Sequence, residues 1–113
     1  MKKIVILSTG ALLCTAVVAF SAPVPSSEAS TVKTGEALFK EHCAVCHPDG
    51  GNIVNPKRTL HKKDREANKV NTKTEIVGLM RKPGPGMSVF DVKILPDRDA
   101  HEIAEYILKT FNK

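Results

Sequence analysis

The sequence predicts a small all-α domain with three to five short helices. Four segments combine a helix-capping residue with apolar side chains at helical spacing, and no segment shows the apolar–polar alternation typical of a strand. The 113 residues are 42% hydrophobic and 26% charged, which is typical of a globular protein and excludes a wholly disordered chain. Aromatic residues make up only 4%, so a domain this small needs something besides side chains to complete its core.

The first 22 residues have the pattern of a cleaved secretory signal peptide. Lys2 and Lys3 precede an apolar run over residues 4–20, and small residues surround the expected cleavage site next to Ala22. The rival interpretation is an uncleaved membrane anchor. The run is at the short end for a membrane-spanning helix and contains polar residues, so we expect cleavage.

Cys14 and residues 23–33 bear on how the exported chain is arranged. Cys14 is a candidate lipid anchor, but Leu13 stands where bacterial lipoproteins carry a small residue, so we expect Cys14 to be removed with the signal peptide. Residues 23–33 are rich in Pro, Ser and Thr and are expected to form a flexible tether. The folded domain is then residues 34–113 in the periplasm, with lipid anchoring at the membrane surface as the alternative.

Thr34 predicts the start of the first helix, and Thr59 that of a shorter second one. The first helix should run to about residue 43 with Gly35 and Phe39 on one face, and the second to about Ala67. Glycine is unfavourable at a helix start unless another element packs closely on it. We expect the last helix to be that element, the alternative being a plain turn residue.

Thr72 and Glu75 predict a capping box for the third helix, with Thr74 as a competing cap. This helix should end before Pro83. Asp97 or Asp99 should open the last helix. Its apolar residues are spaced for one buried face: Ile103, Tyr106, Ile107 and Leu108.

The run Cys43-Ala44-Val45-Cys46-His47 is the strongest functional signal in the sequence. Two thiols three residues apart on a helical turn can each add to one vinyl group of a haem. The residue that follows then places an imidazole under the iron. The run therefore predicts one covalently bound haem c, with thioether bonds to both cysteines and the histidine as an iron ligand.

Three other interpretations of the cysteine pair are weaker. A structural zinc site needs two more ligands at close spacing, and the sequence has no second cysteine pair. A thioredoxin-like redox pair needs a surrounding βαβ pattern, which is not present. A disulfide between Cys43 and Cys46 would close a very small loop and would leave His47 unexplained.

Met87 is the best candidate for the second axial ligand. It lies in residues 82–90, where two prolines and two glycines preclude a helix and favour a stiff, extended loop. A thioether on such a loop can be aimed at the iron, whereas Met80 lies in a helical pattern and is expected to form the pocket wall. Three histidines are the remaining candidates and are expected not to reach the iron: His42, His61 and His101.

Residues 34–111 together resemble the class I c-type cytochromes, and among these the small cytochrome c6 type. Four blocks carry the resemblance: Gly35 with Phe39 and the motif at 43–47, residues 50–60, Glu66-Ala67-Asn68, and Gly86-Met87 with Phe90. The haem motif alone indicates only the class, while the four blocks in this order are more specific. They cover nearly the whole expected domain.

The resemblance implies a class I cytochrome c fold, with short helices around one covalently attached haem. His47 would be the proximal ligand and Met87 the distal one. A backbone carbonyl after the haem motif, with Pro56 as the candidate, would accept a hydrogen bond from the ring N–H of His47. Ser88 stands where the family often has Pro, and this departure bears on the strength of the Met–iron bond.

A haem iron with two protein ligands has no vacant position for a substrate. We therefore expect an outer-sphere electron carrier that cycles between Fe(II) and Fe(III), not an enzyme, with no small-molecule substrate at the iron. The alternative is a haem-based redox or gas sensor with a labile Met ligand. Residues 57–69 carry six basic and two acidic side chains, which predicts docking to acidic redox proteins, with a solvated helix face as the alternative. No nucleic-acid partner is expected for an exported haem protein.

Overall fold

The computed structural model describes residue 10 and residues 31–113. The expected signal peptide (1–22), Cys14 and most of the expected tether (23–33) lie outside the described residues, so these assignments stay predictions. No helix in the described part of the chain is long and apolar enough to cross a membrane.

Four α-helices and one short 3-10 helix make up the domain. They are α1 (Gly35–His42), the 3-10 helix (Pro48–Gly50), α2 (Lys62–Ala67), α3 (Lys73–Arg81) and α4 (Asp97–Thr110). No strand occurs within residues 31–113. The all-α prediction and the number of helices are therefore confirmed.

The helix starts at α1 and α3 follow the predicted caps. The Thr34 hydroxyl accepts a hydrogen bond from the Ala37 amide at 3.2 Å. At α3 the capping box is complete, because the Thr72 hydroxyl accepts from the Glu75 amide and the Glu75 carboxylate accepts from the Thr72 amide. Both caps satisfy amides that have no partner inside their own helix.

One predicted helix start differs from the structure. Helix α2 begins at Lys62 and not at Thr59, because the Thr59 hydroxyl accepts from the His61 amide and donates to Asp64 Oδ2 at 2.5 Å. These bonds fold a turn ahead of the helix. Helix α4 begins at Asp97, one of the two predicted residues, and Pro96 precedes it without a side-chain cap.

The crossing of α1 and α4 forms one half of the core. A Cβ atom on Gly35 would lie 2.3 Å from the Glu102 carbonyl oxygen, so the glycine permits the close approach that the sequence predicted. The Phe39 ring packs 5.3 Å from that of Tyr106 and 5.4 Å from that of Phe111. Helix α3 packs on another part of α4 and contributes Ile76, Val77 and Met80 to the same core.

Candidate functional site

A cavity of about 510 Å³ opens beside this core. The turn after α1, residues 52–60, α2, α3, the loop at 84–90 and α4 surround it. Its volume lies in the usual range for cofactor sites, about 300–1,000 Å³. Most of its wall is apolar: Val54, Leu60, Val70, Ile76, Leu79, Met80, Phe90 and Ile107. Five predicted site residues line this one cavity: Cys43, Cys46, His47, Met80 and Met87.

His47 is held by the backbone turn that follows the haem motif. Its Nδ1 lies 2.7 Å from the Gly51 carbonyl oxygen. Because a carbonyl can only accept, Nδ1 carries the proton and Nε2 keeps its lone pair. The ring therefore has the tautomer that a metal ligand needs, and the hydrogen bond fixes its orientation.

The expectation for Pro56 is wrong, because the carbonyl that accepts from His47 belongs to Gly51. Pro56 is exposed and does not line the cavity. The Asn52 side chain explains this placement. Its Oδ1 accepts from the Asn55 amide at 2.8 Å, and its Nδ2 donates to the Arg58 carbonyl at 2.8 Å. These bonds close residues 52–58 on themselves and leave Pro56 on the outside of the turn.

Cys43 and Cys46 lie on the turn that continues from α1. The Cys46 and His47 amides both donate to the Cys43 carbonyl, at 3.1 and 2.9 Å, which holds the motif together. Burial, with a smaller contribution from Cys46, raises the pKa of the Cys43 thiol to about 11. A thiol that stays protonated at neutral pH is a poor nucleophile, which disfavours a thioredoxin-like role.

The zinc interpretation also lacks a suitable set of ligands. Among residues 31–113, no group of three or more His, Cys, Asp or Glu side chains lies close enough to hold a metal ion. Cys43 and Cys46 are not joined by a disulfide. The cavity beside Cys43 and Cys46 therefore supports thioether attachment of a haem over the other interpretations of the cysteine pair.

Met87 is half-buried and packs against the core from the loop at 84–90. Gly86, just before it, has φ of +91°, and a Cβ there would lie 2.6 Å from Val54 Cγ1. The end of the loop is fixed to α3, since the Phe90 amide donates to the Met80 carbonyl at 2.9 Å. Met80 is 3% exposed and forms part of the cavity wall, as the sequence predicted.

The three histidines that the sequence left as weaker candidates lie in different places. His42 lines the cavity, with its ring edge-on to Phe90 at 6.2 Å. His61 lies outside the cavity lining and is half-buried, because its ring packs 5.8 Å from that of Phe111. His101 is exposed on α4.

Arg65 is a residue of the cavity wall that the sequence analysis missed. It is 5% exposed and lines the cavity, whereas its position in a basic segment suggested a surface charge. A signal for it existed in the composition of α2. The one apolar residue of this helix, Ala67, is exposed, so a helix that packs on the domain had to turn a charged side chain inward.

Comparisons with known proteins agree with this geometry. The family model described as cytochrome c oxidase, cbb3-type, subunit III matches residues 30–107. Cytochrome c6 from Bumilleriopsis filiformis is 34% identical over 77 residues, which are 68% of this chain and 88% of that protein. The chain belongs to the class I c-type cytochromes. It is a cytochrome c6-like monohaem protein, with one covalently bound haem c and the role of an electron carrier.

Solved structures show the same fold. The outer membrane cytochrome F of Geobacter sulfurreducens is 45% identical, with a TM-score of 0.66 over 68% of this chain and 98% of that one. Cytochrome c6C from Synechococcus sp. PCC 7002 is 28% identical, with a TM-score of 0.65 over 70% of this chain and 95% of that one. The all-α cytochrome c fold is therefore shown for this cytochrome.

Proposed function

We propose that this cytochrome is exported and carries single electrons between redox proteins by outer-sphere transfer. One observation carries the proposal: His47, with its Nδ1 bonded to Gly51, and Met87 line the same cavity as the two cysteines. When bound, the haem iron supplies a one-electron Fe(II)/Fe(III) couple. The signal-peptide pattern of residues 1–22 supports export to the periplasm, and residues 23–33 would tether the domain.

Four side chains would hold the haem. The sulfurs of Cys43 and Cys46 would form the two thioether bonds, His47 Nε2 would bind the iron as the proximal ligand, and the Met87 thioether as the distal one. The Gly51 carbonyl would keep the imidazole oriented and make it a stronger donor. A thioether in place of a second imidazole raises the reduction potential.

The same arrangement argues against an enzyme. If His47 and Met87 both held the iron, no protein side chain would need to move when the electron count changes, and no position would be left for a small molecule. The apolar wall also limits water at the site. These features suit a carrier better than a catalyst or a gas sensor.

Partners with acidic surfaces would dock on the basic segment 57–69, although this surface is smaller than the sequence suggested. Arg65 is buried, and Lys62 pairs with Glu66 at 2.6 Å. Four exposed basic side chains remain outside the ion pairs of the described residues: Lys57, Arg58, Lys63 and Lys69. Their charge would steer an acidic partner toward the exposed Val54 at the cavity wall.

The test is carbon monoxide binding to the reduced protein at neutral pH. Wild type should bind it slowly or not at all, Met87→Ala should bind it rapidly, and Met87→His should stay six-coordinate with a lower reduction potential. Rapid binding by wild type would favour the sensor instead. A reduction potential that hardly moves in Met87→His would remove Met87 as the ligand.

A further inference from the structure

Arg65 is a buried cation without a buried anion beside it. It is the one charged side chain among the buried residues of the described chain, with 5% of its surface exposed. Burial lowers the pKa of its guanidinium, yet arginine stays charged in proteins. A buried charge is unfavourable unless an opposite charge or several hydrogen bonds compensate it.

The protein supplies little of that compensation. Arg65 Nε donates to the Leu60 carbonyl at 2.8 Å, and no ion pair within residues 31–113 includes Arg65. The two nearest carboxylates on α2 have other partners: Glu66 binds Lys62 at 2.6 Å, and Asp64 accepts from the Thr59 hydroxyl at 2.5 Å. The terminal nitrogens of the guanidinium are therefore available to a ligand in the cavity that Arg65 lines.

Two other polar side chains of the cavity wall already donate to backbone carbonyls. Asn52 Nδ2 donates to the Arg58 carbonyl, and Asn68 Nδ2 donates to the Asp64 carbonyl, both at 2.8 Å. The Arg58 side chain lines the cavity but is exposed, so water screens its charge. Arg65 is thus the buried donor best suited to an anionic group of the occupant.

We propose that Arg65 binds a propionate carboxylate of the haem and thereby raises the reduction potential. This inference rests on the proposed function, since haem is an occupant that combines a large apolar ring with carboxylates. A guanidinium can bind a carboxylate through two parallel hydrogen bonds. Oxidation adds a positive charge to the iron. A nearby buried cation disfavours the oxidised state, because charges repel each other strongly where the dielectric constant is low.

Arg65→Gln tests the role, with Arg58→Gln as a matched control that removes the same charge from an exposed position. At a fixed solution potential, Arg65→Gln should raise the Fe(III)/Fe(II) ratio roughly tenfold. This change corresponds to a reduction potential of the haem that is lower by about 59 mV, since one electron is transferred. Arg58→Gln should move the ratio much less. Arg65→Lys should recover most of the change, because it keeps the charge. The inference is overturned if Arg65→Gln shifts the ratio no more than Arg58→Gln, or if Arg65→Lys shifts it as far as Arg65→Gln.

A second measurement applies if the Arg65 variants do not mature. In NMR spectra of the reduced wild-type holoprotein, the Arg65 guanidinium protons should exchange slowly and show contacts to the propionate methylene protons. Fast exchange without such contacts would overturn the inference. A wild-type protein that carries no attached haem would instead refute the proposed function, so the two failures are distinguishable.

Discussion

Gly35 lets α1 and α4 approach each other more closely than any larger residue would. An added Cβ would lie 2.3 Å from the Glu102 carbonyl oxygen and 2.9 Å from its carbon, both of them backbone atoms. Backbone cannot move aside as the end of a flexible side chain can. The contact therefore fixes the α1–α4 crossing, and with it the position of the haem motif just after α1.

Gly35→Ala should lower the free energy of unfolding by about 1–3 kcal/mol, because the new methyl overpacks the crossing. Urea unfolding of the haem-loaded protein measures this. The control is Gly78→Ala in α3, where a Cβ meets nothing within 4 Å. Alanine there should raise stability by about 0.5–1 kcal/mol. Equal losses of stability in the two variants would contradict the close-contact role of Gly35.

Gly86 sets the direction of the chain at Met87 through its φ of +91°. Gly86→Ala should weaken the Met87–iron bond, because alanine disfavours this conformation and its Cβ would meet Val54 Cγ1 at 2.6 Å. The expected readout is faster carbon monoxide binding to the reduced protein. Gly84→Ala, whose Cβ meets nothing within 4 Å, should behave like wild type. Similar binding by the two variants would argue against this role of Gly86.

The residues that carry distinctive chemistry were predictable from sequence, and those that act through the backbone or through burial were not. Thiols at three-residue spacing and a lone thioether on a Pro/Gly loop are rare patterns, so Cys43, Cys46 and Met87 stood out. Every residue has a carbonyl, so nothing in the sequence distinguished Gly51 from Pro56. Haem attachment by Cys43 and Cys46 and iron ligation by Met87 remain proposals, which the position of all three side chains in one cavity wall supports.

At the scale of elements, local sequence patterns predicted where the helices lie. Contacts that the sequence did not reveal changed where a helix begins, as at α2. The capping box at Thr72 and Glu75 involves residues three apart, so it could be identified from sequence alone. Helix α2 has only six residues and no apolar face of its own. Its start depends on the Thr59 hydroxyl, which bonds to Asp64 and His61 in place of capping a helix.

Arg81 joins the loop that carries Met87 to the helices on either side of it, α3 and α4. From the end of α3, its Nη1 donates to the Phe90 carbonyl and its Nη2 to Asp97 Oδ1 at the start of α4, both at 2.7 Å. These bonds close residues 82–90 into a loop with fixed ends. The loop carries Met87, so its anchorage bears on how firmly the proposed thioether ligand would be held on the iron.

Arg81→Gln should therefore loosen the loop and increase the rate of carbon monoxide binding to the reduced protein severalfold. Arg98→Gln is the control, because it also removes one charge, but Arg98 is exposed and its one ion pair among the described residues is with its neighbour Asp99. The overall stability of the two variants, measured by urea unfolding, checks that the effect is local. If Arg81→Gln binds carbon monoxide no faster than Arg98→Gln, Arg81 does not position the loop.

At the scale of the whole molecule, a haem in the cavity would complete a core that the chain alone leaves open. The described domain has its apolar side chains around a cavity of about 510 Å³, and few of them are aromatic. The low aromatic content indicated from the sequence that something else fills the interior. The shape of the cavity could not be predicted, because it depends on how six separate segments close around it.

The charge of the whole molecule leads to a prediction on partner encounter. The chain has a formal net charge of +5, which becomes 15 − 12 = +3 if Lys2 and Lys3 leave with the expected signal peptide. Exposed lysines of segment 57–69 lie beside the site. Electron exchange with an acidic partner protein should slow as salt rises, because salt screens the attraction. Exchange with an uncharged small oxidant should stay nearly constant. A protein–protein rate that is flat with salt would exclude the docking surface.

The most direct test of the account is the optical spectrum of the purified protein, recorded before and after extraction with acidified acetone. One haem bonded at Cys43 and Cys46, with His47 and Met87 on the iron, predicts a low-spin spectrum with a sulfur-to-iron band in the oxidised state. The pigment should stay with the protein. Pigment that passes into the acetone, or an oxidised spectrum without the sulfur band, would contradict the account.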